Sequence, residues 1–190
     1  MARGYHRISR GAIKVALPSV RQREDWTCGA AALLAVCAYY GVGPEWEHEV
    51  ATRMRLTRAG SDPVQLVRAA RAYGLETEEV RGMTDAQLRR TLDARRPVMM
   101  MLQAWGNRRG YADHWRAGHW VIAIGYMRAG VVFEDPWLHR SRGFLGWREL
   151  AARWHDVEGR DDHQVDRYGL VIWRAGARLS RREHLCKVLE

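Results

Sequence analysis

The sequence lacks any long hydrophobic run. No apolar stretch approaches the ~20 residues that a membrane-spanning helix needs, and the N-terminal segment MARGYHRISRGAIKVALPSV has no apolar core of signal-peptide length. With 47% hydrophobic and 28% charged residues, the composition is typical of an ordinary soluble globular protein. These features predict a cytoplasmic protein without a membrane span.

Cysteine is scarce as well. The three cysteines, at positions 28, 37 and 186, are an odd number, which argues against a disulfide framework and fits a reducing compartment. The spacings typical of metal sites, Cys-x2-Cys and His-x3-His, do not occur, and no glycine pattern indicates a phosphate loop. We therefore expect neither a metal ion nor a cofactor.

Lysine is nearly absent, because only two of the 31 basic residues are lysines. The formal net charge of +9 favours contact with polyanions such as nucleic acids. The arginines are scattered along the chain, however, and form no long block. We expect a solvated basic surface, which could also meet a partner protein, rather than a specific nucleic-acid site.

Helical patterns fill most of the first half of the chain. Helices are predicted from Thr27 or Cys28 to Tyr40, from Pro44, from Pro63 and after the N-cap Thr84, with a short strand in ETEEVRG. Strand-like runs follow at 97–105, 119–127, 130–137 and 168–176, with a tight RAG hairpin between the second and third and a helix in GWRELAARWHD.

This order predicts an α+β fold with an N-terminal helical half and a C-terminal antiparallel sheet. At 190 residues the chain is long enough for one domain with a substantial core. We expect a single domain over residues 1–176, in which 1–19 form an arm or a first strand, and a C-terminal tail over 177–190.

Cys28 lies where the first helix should begin. Unpaired backbone N–H groups and the positive end of the helix dipole stabilise an anion there, which favours a thiolate. Cys37 is nine residues further on, so ~100° per residue places it on the opposite side of the helix, within the apolar run LLAVCAYY. Cys28 is therefore the candidate nucleophile, although an inert buried thiol is the commoner fate of a cysteine, and Cys37 is a packing residue.

A thiolate nucleophile needs an oriented base. His119 opens the apolar strand GHWVIAIGY directly after a glycine, whereas His114 lies in a loop. Asp135 ends the next strand of the hairpin, so we expect it beside His119, while strand alternation turns Glu134 to the other face. The alternative for His119 is an edge residue bound to backbone.

Gln22 and several tryptophans complete the candidate site. Gln22 precedes Cys28 by six residues, so its amide could donate to an oxyanion together with a backbone N–H of the helix start; the alternative is a surface glutamine. Aromatic side chains near a cleft bind extended peptides. The tryptophans predicted to do so, unless they fill core, are Trp26, Trp105, Trp120 and Trp137.

The combination Gln-x5-Cys-Gly, a helix ending Tyr-Gly, Gly-His-Trp-Val and a closing Asp-Pro resembles the C39-like cysteine peptidases. These are papain-fold enzymes, best known as the domains of bacteriocin exporters that cut leader peptides after a double glycine. The resemblance covers about residues 20–154 and implies catalytic roles for Gln22, Cys28, His119 and Asp135. Within that region the loop 104–118 is long, basic and aromatic for a strand connection, and the tail 177–190 lies outside the resemblance.

Three functions remain open on the sequence alone. The first is a cysteine peptidase that hydrolyses a peptide or protein substrate through a Cys28 thioester. The second is an acyltransferase, in which an amine or thiol replaces water as the acceptor. The third is a non-catalytic binding or assembly subunit, which the basic surface and the tail would favour and the four matching residues disfavour.

Overall fold

A computed structural model describes residues 8–9, 11–105, 110–138, 141–159 and 161–177. Its helices are α1 (Cys28–Tyr39), α2 (Glu47–Met54), α3 (Pro63–Ala72), α4 (Asp85–Asp93) and α5 (Trp147–Arg153), with a 3-10 turn at Tyr111–Asp113. Its strands are β1 (Glu76–Val80), β2 (Val98–Gln103), β3 (Gly118–Met127), β4 (Gly130–Glu134), β5 (Gly143–Gly146), β6 (His155–Glu158), β7 (His163–Asp166) and β8 (Gly169–Trp173).

Helix α1 is the central helix of the domain. Its residues from Cys28 to Cys37 are all buried, as expected of a helix that is apolar on every side. It packs against α2, α3 and β3. The small side chains of its AAA run allow these elements to come close, so the first turn of α1 is held firmly against the sheet.

The helix boundaries follow local chemistry. The predicted capping box of α4 is present, with the Gln87 N–H donating to the Thr84 hydroxyl and the Thr84 N–H donating to the Gln87 side chain. The predicted start of α2 at Pro44 is wrong. That helix begins at Glu47, because the Glu49 carboxylate accepts from the Trp46 N–H and fixes the first turn there.

The main sheet has six strands in the order β1-β8-β2-β3-β4-β5, and every pairing is antiparallel. The α+β class is confirmed. The division into two halves is less sharp than predicted, because β1 from the helical half pairs with β8 at one edge. The sequence reading also missed β5 and the separate hairpin of β6 and β7, and it extended β4 beyond Glu134.

The N-terminal arm lies against β3. Residue Ile13 bridges to Gly125, and the N–H groups of Lys14 and Val15 both donate to the Ile124 carbonyl at 2.9 Å. A side chain at position 125 would collide with the Ala12 carbonyl, so glycine permits this contact. The tail from residue 178 onward, including Cys186, lies outside the described residues, and no helix within the described ranges is long and apolar enough to cross a bilayer.

Candidate active site

Cys28 is the first residue of α1 and is 7% exposed. The turn before it is held together by the Glu24 carbonyl, which accepts from the Thr27 N–H at 3.1 Å and from the Thr27 hydroxyl at 3.0 Å. The N–H of Cys28 is one of the helix-start amides that have no partner within the helix. The thiol therefore lies beside free donors, as predicted.

His119 and Asp135 are in direct contact. The Nε2 atom of His119 is 2.6 Å from Oδ1 of Asp135. The register explains this contact, since Ile122 pairs with Glu134 and continuing the ladder sets Asp135 diagonally across from His119 on the same face. The predicted proximity of the two side chains is confirmed.

His119 also hydrogen-bonds Cys28. Because Nε2 is held by Asp135, the hydrogen bond to the sulfur belongs to Nδ1. Burial of the ring, which is 3% exposed, lowers its pKa, but the hydrogen bonds to Asp135 and Cys28 and the attraction to both raise the pKa to about 9. His119 is thus an imidazolium at neutral pH, located between a thiol and a carboxylate.

Asp135 is itself held in place. Its Oδ1 also accepts from the Trp137 N–H at 2.9 Å, and its carbonyl accepts from the Leu138 N–H at 3.0 Å. The neighbouring Glu134 is buried on the opposite face and forms an ion pair with Arg142. Strand alternation therefore assigns the two adjacent carboxylates to different surroundings, as expected.

Gln22 is buried and connects both sides of the site. Its backbone N–H donates to the Pro136 carbonyl at 3.0 Å, next to Asp135. Its side-chain Nε2 donates to the Glu24 carbonyl at 2.8 Å, and its Oε1 has no partner among the described residues. An amide nitrogen carries two protons, and the hydrogen bond to the Glu24 carbonyl uses one of them. The alternative of a surface glutamine is wrong.

Two glycines allow close packing around the reactive side chains. A Cβ at Gly29 would overlap the Ser61 hydroxyl and lie 3.2 Å from Cδ1 of Trp120. A Cβ at Gly118 would overlap the Asp156 carboxylate. The residue after Cys28 and the residue before His119 must therefore both lack side chains.

A buried polar network behind His119 escaped the sequence reading. Gln103 donates to Oδ1 of Asp156 at 3.0 Å and accepts from the Ala117 N–H at 2.9 Å, and Arg153 donates to the Gln103 carbonyl at 2.8 Å. Burial raises the pKa of Asp156 to about 6, against hydrogen bonds from Val157 and Gln103 that lower it. The only sequence signal for this network was the cluster of Arg153, His155 and Asp156 in RWHD, and the same residues are equally compatible with the end of a helix.

The four tryptophans predicted to contact substrate have different surroundings. Trp105 and Trp137 are 43% and 45% exposed, and their ring centroids are 5.1 Å apart. Trp26 is half-buried in the turn before α1. Trp120 is only 4% exposed, and its indole N–H donates to the Ser61 carbonyl at 2.9 Å. The expectation that Trp120 presents a peptide-binding surface is therefore corrected, because its ring fills the wall beneath the site.

No group of three or more His, Cys, Asp or Glu side chains within the described ranges is placed to hold a metal ion. The chemical resources of the site are thus a thiol, an imidazolium, a carboxylate, a primary amide and backbone N–H groups. This is the set that nucleophilic attack on an acyl carbon needs.

Comparison with known proteins also indicates peptidase-type chemistry. Residues 14–161 match the sequence profile of the Peptidase_C39 like family. The chain belongs to this C39-like family. The match extends slightly beyond the region 20–154 in which the sequence motifs lie, and no curated protein matches the sequence.

Solved structures share the papain-like fold of this C39-like domain. A putative C39-like peptidase from Bacillus anthracis is 14% identical with a TM-score of 0.67, over 85% of this chain and 97% of that one. The peptidase domain of Streptococcus ComA, a bifunctional ABC transporter, is 17% identical with a TM-score of 0.60, over 82% and 97%. A double glycine motif protease from an AMS/PCAT transporter, solved with its leader peptide, is 24% identical with a TM-score of 0.56, over 87% and 95%.

Proposed function

We propose that the protein is a cysteine peptidase in which Cys28 is the nucleophile and His119 the general acid and base. The observation that carries this proposal is the pair of hydrogen bonds that His119 makes, to Cys28 on one side and to Asp135 on the other. A buried imidazole bound to a thiol and a carboxylate together is the arrangement that activates a cysteine.

The charge state supports this role. With a pKa of about 9, His119 keeps its proton at neutral pH and stabilises a thiolate on Cys28. Asp135 fixes the ring orientation through Nε2 and offsets the imidazolium charge. Cys28 is also the first residue of α1, a position at which the helix dipole favours a negative charge.

The reaction follows from these positions. The Cys28 sulfur forms a bond to the peptide carbonyl carbon, and the carbonyl oxygen takes up the electron pair. Gln22 and the Cys28 N–H donate hydrogen bonds to that oxyanion. The C–N bond then breaks as His119 gives its proton to the leaving amine, which leaves a thioester on Cys28.

Water completes the cycle. Neutral His119 removes a proton from a water molecule while the water oxygen attacks the thioester carbon. The C–S bond then breaks and releases the carboxylic acid of the acyl half. The thiolate and the imidazolium are regenerated, so protons balance over the two steps. The same thioester would serve an acyltransferase if an amine or thiol were the acceptor.

The substrate class we propose is a peptide with small residues before the scissile bond. This substrate class is suggested by a solved protein that shares this fold, a double glycine motif protease bound to a leader peptide. We accordingly propose double-glycine leader peptides as the first substrates to test.

The experiment is cleavage of a peptide library centred on Gly-Gly, read by mass spectrometry, with intact-mass detection of the acyl-enzyme. We expect cleavage after Gly-Gly and a thioester adduct on Cys28 that the Cys28→Ala variant does not form. Cys37→Ala is the matched control and should keep both. If neither cleavage nor an adduct is detected with the folded wild-type protein, the non-catalytic binding function takes precedence.

A further inference from the structure

Two exposed tryptophans form an aromatic corner beside the catalytic pair. Among the described residues, five large hydrophobic side chains are exposed, and two of them, Trp105 and Trp137, touch each other. Their rings meet at 69°, edge to face. The Trp105 ring also contacts the His119 imidazole, with 5.3 Å between centroids. We call these two side chains the indole corner.

Hydrogen bonds hold the backbone beside Trp105 and the backbone N–H of Trp137. The Ala104 N–H donates to the Ala117 carbonyl at 2.9 Å, and Arg153 donates to the Ala104 carbonyl at 3.1 Å. On the other side, the Trp137 N–H donates to the Asp135 carboxylate at 2.9 Å. Together with the contacts of the Trp105 ring to Trp137 and His119, these bonds place two large exposed rings without help from a ligand, which lowers the ordering cost of binding.

The position of the indole corner relates it to one half of a bound peptide. In the proposed reaction His119 gives its proton to the leaving amine, so the residue that carries this amine lies against the imidazole. The oxyanion donors, Gln22 and the Cys28 N–H, serve the acyl half. Since Trp105 contacts the His119 ring, the indole corner borders the leaving half.

We propose that Trp105 and Trp137 bind the side chain of the residue immediately after the scissile bond and select a large apolar residue there. This inference rests on the proposed function and adds a substrate preference to it. A large apolar side chain would cover two exposed indole faces and remove them from water, whereas glycine would leave them exposed.

The first test needs no catalysis. Cys28→Ala protein labelled with nitrogen-15 is titrated with phenylalanine amide or glycine amide at pH 8.5, while the indole N–H signals of Trp105 and Trp137 are followed by NMR. An amino-acid amide is the smallest mimic of the leaving half. We expect phenylalanine amide to shift both signals and to bind at least ~10-fold more tightly than glycine amide.

Variants locate the effect. Trp105→Ala and Trp137→Ala should each remove the preference for phenylalanine amide. Trp173→Ala is the control, because Trp173 pairs with β1 beyond the start of β2, at the end of the sheet opposite His119, and it should keep the preference. Equal binding of the two amides to the Cys28→Ala protein, or shifts confined to other tryptophans, would overturn the proposal.

The second test uses the acyl-enzyme. Wild-type protein is acylated with acetyl-Gly-Gly p-nitrophenyl ester, and amino-acid amides compete with water for the thioester. The amine forms the new C–N bond, the C–S bond breaks, and His119 takes the proton lost by the amine. We expect phenylalanine amide to be acylated at least ~10-fold faster than glycine amide, with the difference lost in Trp105→Ala.

The outcomes separate the two proposals. If the NMR preference is present but no acyl-enzyme forms, the peptidase proposal fails and the indole corner remains a site for apolar side chains. If the acyl-enzyme forms but phenylalanine and glycine amides react equally, the indole corner does not select the leaving residue, while the peptidase proposal stands.

Discussion

The two ends of α1 each carry a buried cysteine, and their surroundings differ in one decisive respect. Cys28, in the first turn, is hydrogen-bonded to the His119 imidazole. Cys37, nearer the other end, is fully buried in the apolar core, and a Cβ at the neighbouring Gly43 would lie 3.2 Å from its sulfur. Burial raises the pKa of Cys37 to about 12.

Burial by itself therefore does not decide what a thiol can do. Both side chains are largely removed from solvent, but only Cys28 has a cation and free helix-start amides beside it. The comparison teaches that a reactive cysteine is defined by its position on the helix and by its partners in three dimensions, and not by burial.

The largest expected difference is in catalysis. Cys28→Ala should abolish peptide cleavage, with a loss of about 10⁴-fold or more, because the nucleophile is gone. Cys37→Ala should keep the activity and lower the free energy of unfolding by about 1–2 kcal/mol through loss of core packing. Cleavage rates and urea unfolding of the two variants test this, and equal activity losses would contradict the assignment.

A second prediction concerns the charge beside Cys28. Asp135→Asn removes the carboxylate that holds the imidazolium, so the pKa of His119 should fall from about 9 toward its ordinary 6.5. An NMR titration of the His119 ring measures this. Glu134→Gln, on the opposite face, is the matched control and should leave the His119 pKa unchanged.

The same shift has a consequence for stability. Because the folded-state pKa of His119 is raised, its contribution to stability is complete below pH 6.5 and is lost as the pH rises through about 9. Wild-type protein should lose part of its unfolding free energy over that interval, and Asp135→Asn should lose less. If the difference in unfolding free energy between the wild type and Asp135→Asn stays constant from pH 6 to pH 9.5, the proposed coupling between Asp135 and the protonation of His119 is contradicted.

A smaller effect is expected for packing at the first turn. Gly29→Ala should favour the helix by up to about 1 kcal/mol, but the new methyl overlaps the Ser61 hydroxyl. Overpacking of this kind costs about 1–3 kcal/mol, so we expect net destabilisation by urea unfolding. Adding Ser61→Ala to Gly29→Ala should restore at least part of the loss. A Gly29→Ala variant more stable than the wild type would show that the segment carrying Ser61 moves aside at no cost, and would contradict this prediction.

Much of this arrangement could be read from the sequence because it depends on local rules. The N-cap of α4 at Thr84, the start of α3 at Pro63 and the position of Cys28 at a helix start all follow from neighbouring residues. The hairpin itself followed from its two-residue turn, but that turn alone would set Asp135 opposite Ile122, on the other face from His119. A register shift between Ala123 and Gly125, which the sequence did not reveal, brings Asp135 to the face of His119.

The remaining features depend on distant parts of the chain. The pairing of β1 with β8 joins residues about 90 positions apart, and no local pattern sets that choice. The burial of Trp120 depends on Ser61, and the Gln103–Asp156 contact joins β2 to β6. Sequence periodicity can place such residues on elements, but it does not say which elements meet.

The most direct test of the account is the pH dependence of alkylation of Cys28 and Cys37 by iodoacetamide, with each site quantified by peptide mapping. We predict that in the wild type Cys28 reacts at pH 6 about 100-fold faster than Cys37, because only Cys28 faces an imidazolium. In His119→Ala that advantage below pH 7 should disappear. If Cys28 reacts no faster than Cys37 at pH 6, or keeps its reactivity without His119, the thiolate–imidazolium pair does not exist and the proposed catalytic site is wrong.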